Sequence, residues 1–269
     1  MKPKITVIMA TYNVEEFIEE CLESLVSQTY KNFIVKIIDD NSSDKTAEII
    51  HDFSSRDSRI QLICKNNSNQ GLTKNLNRLS KLVDTEYIAR MDGDDVCLPK
   101  RFEKQYEFLE KHTDFAVVGS CAFDVDEFGN IIKNRIFPET NEQIKRSIIK
   151  YNPVLHPSVL VRTKDLLDIK GYDESYRFVQ DYDLWFRILG DNKKIYNMRD
   201  QLLHYRVITT HHKKRNFSYR MIDAKIRWHG TKAIGCNVYS RCVSVMIPFT
   251  LGIMPVFLKK YLVRFSHGG

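Results

Sequence analysis

The sequence predicts an α/β fold built on a doubly wound, mostly parallel sheet, and three observations carry that expectation. Short β-rich apolar runs alternate with stretches of helical apolar spacing from Ile5 onward, the β-α-β order that gives right-handed crossovers and a parallel sheet. Phe33–Ile38 is apolar at nearly every position, as a strand buried on both faces requires. Thr11–Asn13, Asp39-Asp40 and Asp92–Asp95 each close an apolar run, which places all three at the carboxyl edge of such a sheet, where ligands bind.

Ile5–Met9 reads as the first strand, and Asn13-Val14-Glu15-Glu16 as a helix N-cap with a capping-box glutamate. Phe17, Ile18, Cys21, Leu22, Leu25 and Val26 then form one helical stripe. After the Phe33–Ile38 strand, Asn41-Ser42-Ser43-Asp44 marks a turn and the cap of a helix carrying Ala47, Ile49, Ile50 and Phe53. Ile60–Cys64 is a third strand, Thr73–Val83 a helix after Gly71, and Tyr87–Met91 a fourth strand that delivers three carboxylates within four residues. Pro99 opens a helix through Lys111; Phe115–Phe123 is a strand, and Glu127-Phe128-Gly129-Asn130 a hairpin turn. Less regular elements follow: a helix over 141–150, a strand over 158–162, a short helix over 164–169, a helix over 181–189 and a basic helix over 217–229.

The chain has 269 residues, 43% hydrophobic content and a mean hydropathy of −0.36, values that suit one large soluble α/β domain or two small ones. Six cysteines show no C-x-x-C spacing and no secretory signal pattern is visible, so neither a disulfide framework nor a zinc site is expected and a cytoplasmic setting is. Charge is uneven. Residues 201–269 hold 12 Lys/Arg against the single Asp223, a net +11, so residues 1–200 carry −4. The apolar stretch Val243–Leu258 has two prolines and is too short for a good membrane span. With its basic flanks it fits either an interfacial segment on an anionic membrane, making the protein peripheral there, or a helix packed on the core. No RNP, helix-turn-helix or zinc signature accompanies the basic tail, so nucleic acid is not an expected partner.

Asp92, Asp94 and Asp95 are hard oxygen ligands suited to Mg²⁺ or Mn²⁺, and such an ion commonly shares its shell with substrate phosphates. The sequence lacks both G-x-G-x-x-G after the first strand and G-x-x-x-x-G-K-[ST], so a nucleotide would need a metal on carboxylates instead. Each motif alone has a plainer explanation. Asp39-Asp40 could be a turn, Asp181 and Asp183 helix N-terminal acids, His156 a satisfied loop histidine, Lys74 and Arg90 solvated charges, and Trp185 core.

Taken together, Val7-Ile8-Met9-Ala10-Thr11-Tyr12-Asn13 with Glu15, Ile38-Asp39-Asp40-Asn41-Ser42-Ser43-Asp44, Asn69-Gln70-Gly71 with Lys74-Asn75, and Met91-Asp92-Gly93-Asp94-Asp95 resemble a family 2 glycosyltransferase of GT-A fold. His156-Pro157-Ser158, Gly171-Tyr172 and Gln180-Asp181-Tyr182-Asp183-Leu184-Trp185-Phe186-Arg187 resemble that family's acceptor-side segment, with Gln180 where the family often has Glu. The resemblance implies a Rossmann-like GT-A domain over residues 1–210. It would divide into a nucleotide-sugar half (1–98) and an acceptor half (99–210), followed by a basic and apolar helical tail (211–269).

It also implies inverting transfer from a nucleotide-diphosphate sugar, UDP-sugar foremost, to a hydroxyl of a glycan or lipid-linked acceptor in surface polysaccharide synthesis. Mn²⁺ or Mg²⁺ would be the cofactor. Thr11, Tyr12, Asn13, Glu15, Asp40 and Lys74 would hold the nucleotide sugar, with Asp40 accepting from the base ring. Asp92 would lie near the ribose or the metal, Asp94 would be the direct ligand, and Asp95 a helper without an assigned role. Asp181 would be the general base, with Asp183 second in rank and His156 near the acceptor. His204-Tyr205-Arg206 would neighbour the diphosphate, and His211–Arg215 could form a basic lid over it. Two other readings compete: a nucleotidyltransferase, which usually has the glycine-rich loop that Ala10–Asn13 lacks, and a non-catalytic nucleotide-sugar or membrane-binding module.

Overall fold

The computed structural model describes residues 2–208 and 217–253. Its elements run β1 (Ile5–Thr11), α1 (Ile18–Val26), β2 (Phe33–Asp39), α2 (Thr46–Arg56), β3 (Ile60–Lys65), α3 (Leu72–Lys81), β4 (Tyr87–Arg90), β5 (Val96–Cys97), α4 (Arg101–Lys111), β6 (Phe115–Val125) and β7 (Ile131–Arg135). There follow α5 (Asn141–Ser147), a 3₁₀ turn (His156–Ser158), β8 (Leu160–Arg162), α6 (Thr163–Asp168), α7 (Gln180–Gly190), β9 (Lys194–Arg206), α8 (Phe217–Ala233) and α9 (Val238–Ile253). One sheet takes all the strands in the order β3-β2-β1-β4-β8-β6-β9-β5, with β7 paired on β6.

The first four strands in that order are parallel, β1 standing between β2 and β4. The register sets Thr11 beside Asp39 and Ile8 beside Arg90, so the polar ends of β1, β2 and β4 share one edge. Alternate residues of β1 and β4 serve different cores. Ile5, Val7, Met9, Tyr87 and Ala89 meet α1, α2 and α4 on one face, whereas Ile8 and Ile88 meet α3, α5 and α7 on the other. Burial on both faces removes any need for polar alternation, and each fully buried Ile, Leu or Val contributes about 1.5–3 kcal/mol.

The expected helix start at Asn13 is overturned. Asn13 has φ 51°, and α1 begins only at Ile18. Its capping groups are taken by the loop after β2: Asn13 N–H donates to Ser42 Oγ at 3.0 Å, and its Oδ1 accepts from Ser43 N–H at 2.9 Å. Val14 N–H likewise donates to Thr46 Oγ1, and Glu15 accepts from Lys45 N–H at 2.8 Å. Tertiary partners win over the local cap. A capping box does form elsewhere, at Thr140 and Gln143, on a helix that stops at Ser147 rather than at residue 150.

The hairpin turn is where expected, with Gly129 at φ 86°. β9 has no counterpart in the sequence reading. Its 13 residues skip Arg199 and Asp200 in their pairing with β6, and that irregularity breaks the apolar pattern into two short pieces. The basic helix is present as α8, and α9 covers the first part of the apolar stretch. Residues 254–258 and the His211–Arg215 cluster lie outside the described residues. No helix among the described residues is long and apolar enough to cross a membrane.

Both C-terminal helices lean on the core. Arg227 and Asp223 form a buried pair at 2.7 Å, and Gly230 lets α8 approach α7 so closely that a β-carbon there would stand 2.2 Å from Phe186 Cγ. Gly230→Ala gains about 1 kcal/mol of helix propensity but incurs an overpacking cost of about 1–3 kcal/mol or more, because Phe186 is caught at its rigid base. Net destabilisation of about 1–2 kcal/mol is expected, read as a lower urea midpoint at unchanged slope.

Candidate active site

The site grows from three strand ends. At β1, Thr11 is buried and its hydroxyl donates to Asp39 Oδ1 at 3.3 Å. At β2, Asp39 is fully buried and accepts from Ser42 N–H (2.9 Å) and Ser42 Oγ (2.5 Å), a side-chain turn that shapes the loop. Its neighbour Asp40 accepts from Asn66 Nδ2 and Gln70 N–H on one oxygen and from Gly71 N–H on the other, each at 2.8 Å. Burial works to raise the Asp40 carboxyl, but these donors outweigh it and hold the group below the usual carboxylate range. Asp40 thus pins the 66–71 loop against the sheet edge.

At β4, Arg90 is buried and grips Asp92 with both terminal nitrogens, NH1 to Oδ2 at 2.5 Å and NH2 to Oδ1. Gly93 follows because a β-carbon there would lie 3.1–3.2 Å from Thr11, Val14 and Ile18. The turn then brings oxygens of Asp92, Asp94 and Asp95 within 4.8 Å of one another. Burial first, and the charge of Asp92 second, push Asp94 up to about 6. Burial and the Asp94 and Asp92 charges push Asp95 well above the usual range. Asp95 Oδ1 accepts from Arg206 N–H at 2.9 Å, whereas its Oδ2 is buried with no hydrogen-bond partner among the described residues.

These features fit a divalent cation. A buried carboxylate oxygen without a partner among the described residues, beside two further carboxylates, is an arrangement that a hard positive ion stabilises. Asp94 and Asp95 would offer their oxygens to Mn²⁺ or Mg²⁺. Asp92 shares both of its oxygens with Arg90. Asp95, given no role from the sequence, therefore holds a stronger claim than expected.

The Arg90 charge also reaches the acceptor-side residues Asp181, His156 and Tyr172. Asp181 sits in the first turn of α7 and accepts from Asn152 Nδ2 at 2.6 Å. Burial raises its carboxyl above the usual range, opposed by that hydrogen bond and by the Arg90 charge. Asp183 is tied to Arg187 Nε at 2.7 Å, an i,i+4 pair on the same helix. His156 is buried, with Nε2 2.8 Å from the Tyr172 hydroxyl and its ring edge-on to Trp185. Burial, with Arg90 nearby, holds His156 well below its ordinary value, so it is neutral. These contacts match the plainer readings of Asp183, His156 and Trp185. Lys74 stands exposed on α3 and joins none of these contacts.

A cavity of about 770 Å³ opens beside Asp94, lined by Tyr12–Phe17, Asp44, Glu127, Arg135, Tyr205 and Arg206–Ile208. Its size is that of a small-molecule site. Tyr12, half exposed, presents its ring there, while the side chains of Asn13 and Glu15 serve the neighbouring turn. Asp40 and Asp181 are not part of this lining.

Arg206 is the residue whose reach the sequence reading missed. Placed only as a neighbour of the diphosphate, it spends its whole guanidinium on the protein. Nε donates to Asp94 O (2.8 Å), NH1 to Asp126 O and Glu127 O (3.0 Å each), and NH2 to Glu20 Oε2 (2.6 Å), with Phe17 under its plane at 4.7 Å. Its position at the end of a strand of broken pattern explains the omission. Asn152, before Pro153, carried no signal at all.

Residues 6–167 match the family model "Glycosyl transferase family 2". An uncharacterized glycosyltransferase of Methanocaldococcus jannaschii is 35% identical over 275 residues, covering 97% of this chain and 93% of the relative. The Escherichia coli UDP-Glc:alpha-D-GlcNAc-diphosphoundecaprenol beta-1,3-glucosyltransferase WfaP is 30% identical over 203 residues, 76% of this chain and 77% of that one. Among solved structures, residues 1–349 of S. aureus TarS in complex with UDP-GlcNAc superpose with a TM-score of 0.71 at 21% identity, covering 91% of this chain and 70% of that one. The mannosyltransferase PcManGT of Pyrobaculum calidifontis, in complex with GDP-Man and Mn²⁺, gives 0.61 at 13% identity over 99% of this chain and 80% of that one. The fold is that of GT-A glycosyltransferases.

Asp94→Ala should abolish Mn²⁺ binding in titration calorimetry without unfolding the protein. Since ionised Asp94 is a destabilising charge in the folded state above pH about 6, the variant should melt at the same temperature as wild type or higher. Retained Mn²⁺ affinity would remove Asp94 from the ligand set.

Proposed function

The chain belongs to glycosyl transferase family 2, and from that premise we propose that it transfers a sugar, with inversion, from a nucleotide-diphosphate sugar to a hydroxyl of a glycan or lipid-linked acceptor in surface polysaccharide synthesis. One observation carries the reading: Asp94, crowded by Asp92 and Asp95, faces a cavity of substrate size, and Asp181, a half-buried carboxylate of raised affinity for protons, stands within the field of the Arg90 charge. That is the division between a donor site and a base that inverting transfer needs.

The donor's nucleoside lies along the β1–β2 edge, where Thr11 and Tyr12 flank it. Asp40 keeps lone-pair capacity beyond its three bonds to accept from a uracil-type N–H, which favours UDP. The diphosphate faces Asp94 and Asp95. A divalent ion held there supplies Lewis-acid stabilisation of the charge that develops on the departing diphosphate. The names of WfaP and the UDP-GlcNAc complex of TarS support a UDP-sugar, and the PcManGT complex supports Mn²⁺.

Asp181 takes the proton from the acceptor hydroxyl as that oxygen attacks the anomeric carbon from the face opposite the leaving group. Its raised proton affinity suits a base, provided the pH lies above its titration. Arg90 does two things from one place: it neutralises Asp92, and its charge favours the ionised form of Asp181.

A panel of UDP- and GDP-sugars, scored for Mn²⁺-dependent hydrolysis and transfer, tests the reading. Asp181→Asn should lose about 10²–10⁴-fold in turnover while binding UDP and Mn²⁺ as wild type does. Because a carboxyl with raised folded-state affinity for protons costs stability when ionised, Asp181→Asn should be at least as stable as wild type at neutral pH. Wild-type turnover should fall as pH drops through the Asp181 titration and level off above it. Wild-type rates in Asp181→Asn would overturn the assignment.

The α8–α9 face is the part of the protein that rests on an anionic membrane, next to a lipid-linked acceptor. Phe217, Met221, Trp228, Val238, Tyr239, Val243 and Met246 are exposed there, amid Lys225, Lys232 and Arg241. Sedimentation with phosphatidylglycerol-containing vesicles should capture the protein at low salt and release most of it at 0.5 M, with phosphatidylcholine vesicles binding little. Equal recovery with both lipids at all salt concentrations would count against the charge-directed contact.

A further inference from the structure

We propose that Asn152 is a positioning residue for the base, holding one oxygen of Asp181 so that the other faces the acceptor hydroxyl. The inference rests on Asp181 being the base and adds a residue that no sequence motif singles out.

The geometry is specific. Asn152 Nδ2 donates to Asp181 Oδ2 at 2.6 Å, a charge-assisted bond when Asp181 is ionised. The amide orientation is set by the carboxylate, which accepts from Nδ2 and would repel Oδ1, and Oδ1 takes a longer contact from Val154 N–H at 3.4 Å. With Oδ2 engaged, Oδ1 of Asp181 is the oxygen left to take a proton.

The segment carrying Asn152 is itself held from both sides. Before it, Arg227 NH1 on α8 donates to Ile149 O (3.1 Å) and Lys150 O (3.3 Å), and Ser244 Oγ on α9 donates to Ile149 O (2.6 Å). After it, Asn197 Nδ2 on β9 donates to Pro153 O at 3.0 Å. A loop outside regular structure is thereby fixed by three elements, which gives the Asn152 amide a defined place from which to orient a carboxylate.

Other groups bear on the Asp181 charge. Arg90 of β4 favours the ionised form. The phenols of Tyr172, after α6, and Tyr182, on α7, sense the Asp181 charge and are themselves held neutral by burial. His156, reaching Tyr172 from the 3₁₀ turn, is neutral as well. The backbone N–H groups of Tyr182 and of Asp181 itself also favour the ionised form, but Asn152 exerts the strongest of the influences that favour it, so its removal should change the titration most.

The experiment compares wild type, Asn152→Ala, the near-isosteric Asn152→Asp, and Asp181→Asn. The Asp181 carboxyl is followed by ¹³C NMR of aspartate-labelled protein without metal or donor, its resonance identified by loss in Asp181→Asn. Mn²⁺-dependent hydrolysis of the UDP- or GDP-sugar that wild type turns over is then measured against pH. Asn152→Ala removes a bond to the ionised form, so Asp181 should titrate about one pH unit higher, with kcat about tenfold lower below that point and KM for the donor unchanged. Asn152→Asp keeps the volume but faces Asp181 with a second carboxylate, and should move the titration further upward. UDP and Mn²⁺ binding by calorimetry confirms that each variant retains its fold.

The proposal is overturned if both variants leave the Asp181 titration in place and kcat within twofold of wild type. It is likewise overturned if kcat falls with no movement of the titration or of the acidic limb. Should Asp181→Asn hydrolyse donor at the wild-type rate, the base assignment itself fails, a result separate from what the NMR titration says of Asn152.

Discussion

Three carboxylates crowded together at the end of a central strand, one of them fully buried, are the constraint around which this structure is arranged. Left alone, Asp92, Asp94 and Asp95 would repel one another in a poorly hydrated turn. Two arginines from distant parts of the chain make the arrangement tenable. Arg90 takes the full charge of Asp92 from within β4, and Arg206, at the end of β9, gives its backbone N–H to Asp95 and its Nε to the Asp94 carbonyl. Arg206 also reaches Glu20 on α1 and the Asp126 and Glu127 carbonyls of the hairpin turn, so one side chain ties both of these elements to the carboxylate loop. The remaining imbalance falls on Asp94 and the unpaired oxygen of Asp95, where a divalent ion would relieve it.

The same constraint orders the loops above the sheet. Gly93 leaves little room for a β-carbon because the methyl groups of Thr11, Val14 and Ile18 press against it. Those residues are in turn held by the lacing between the loops after β1 and β2, through Asn13, Glu15, Ser42 and Thr46. The nucleotide-facing edge is therefore preorganised by bonds among residues that a motif reading assigns to the ligand. Asp40 and Thr11 illustrate the point: both lie at the expected edge, yet each already serves the protein before any substrate binds.

How far the sequence could be read follows from the range of the forces involved. Apart from the two-residue β5 and the start of α1, the strands and helices through Lys111 were legible because burial on two faces writes itself into consecutive residues, as in Phe33–Asp39. Asp92–Asp95 and Asp40 were legible as positions because a parallel sheet sends every strand end to the same edge. What could not be read was the partnership across long separations. Nothing local says that Arg206 would meet residue 20, that Asn152 would meet Asp181, or that Asn13 would abandon its own helix for Ser42 and Ser43. β9 was lost for a related reason, since skipping Arg199 and Asp200 is decided by β6 and not by β9 itself.

The basic tail takes on a second meaning in this light. Its excess charge suggests a surface role, yet Arg227 is buried, paired with Asp223, stacked on Tyr182 at 5.0 Å and bonded to the Ile149 and Lys150 carbonyls. Tyr182 in turn donates to Ile148 O and follows Asp181 directly in α7. The chain of contacts runs from the C-terminal helices through the 148–153 segment to the acceptor-side carboxylate, with hydrogen bonds at both ends of that segment. Exposed apolar side chains on the outward faces of α8 and α9 and buried polar ones on their inward faces thus divide the tail into a part that meets the surroundings and a part that shapes the site. Whatever seats the outer face is mechanically continuous with the loop that aims Asp181.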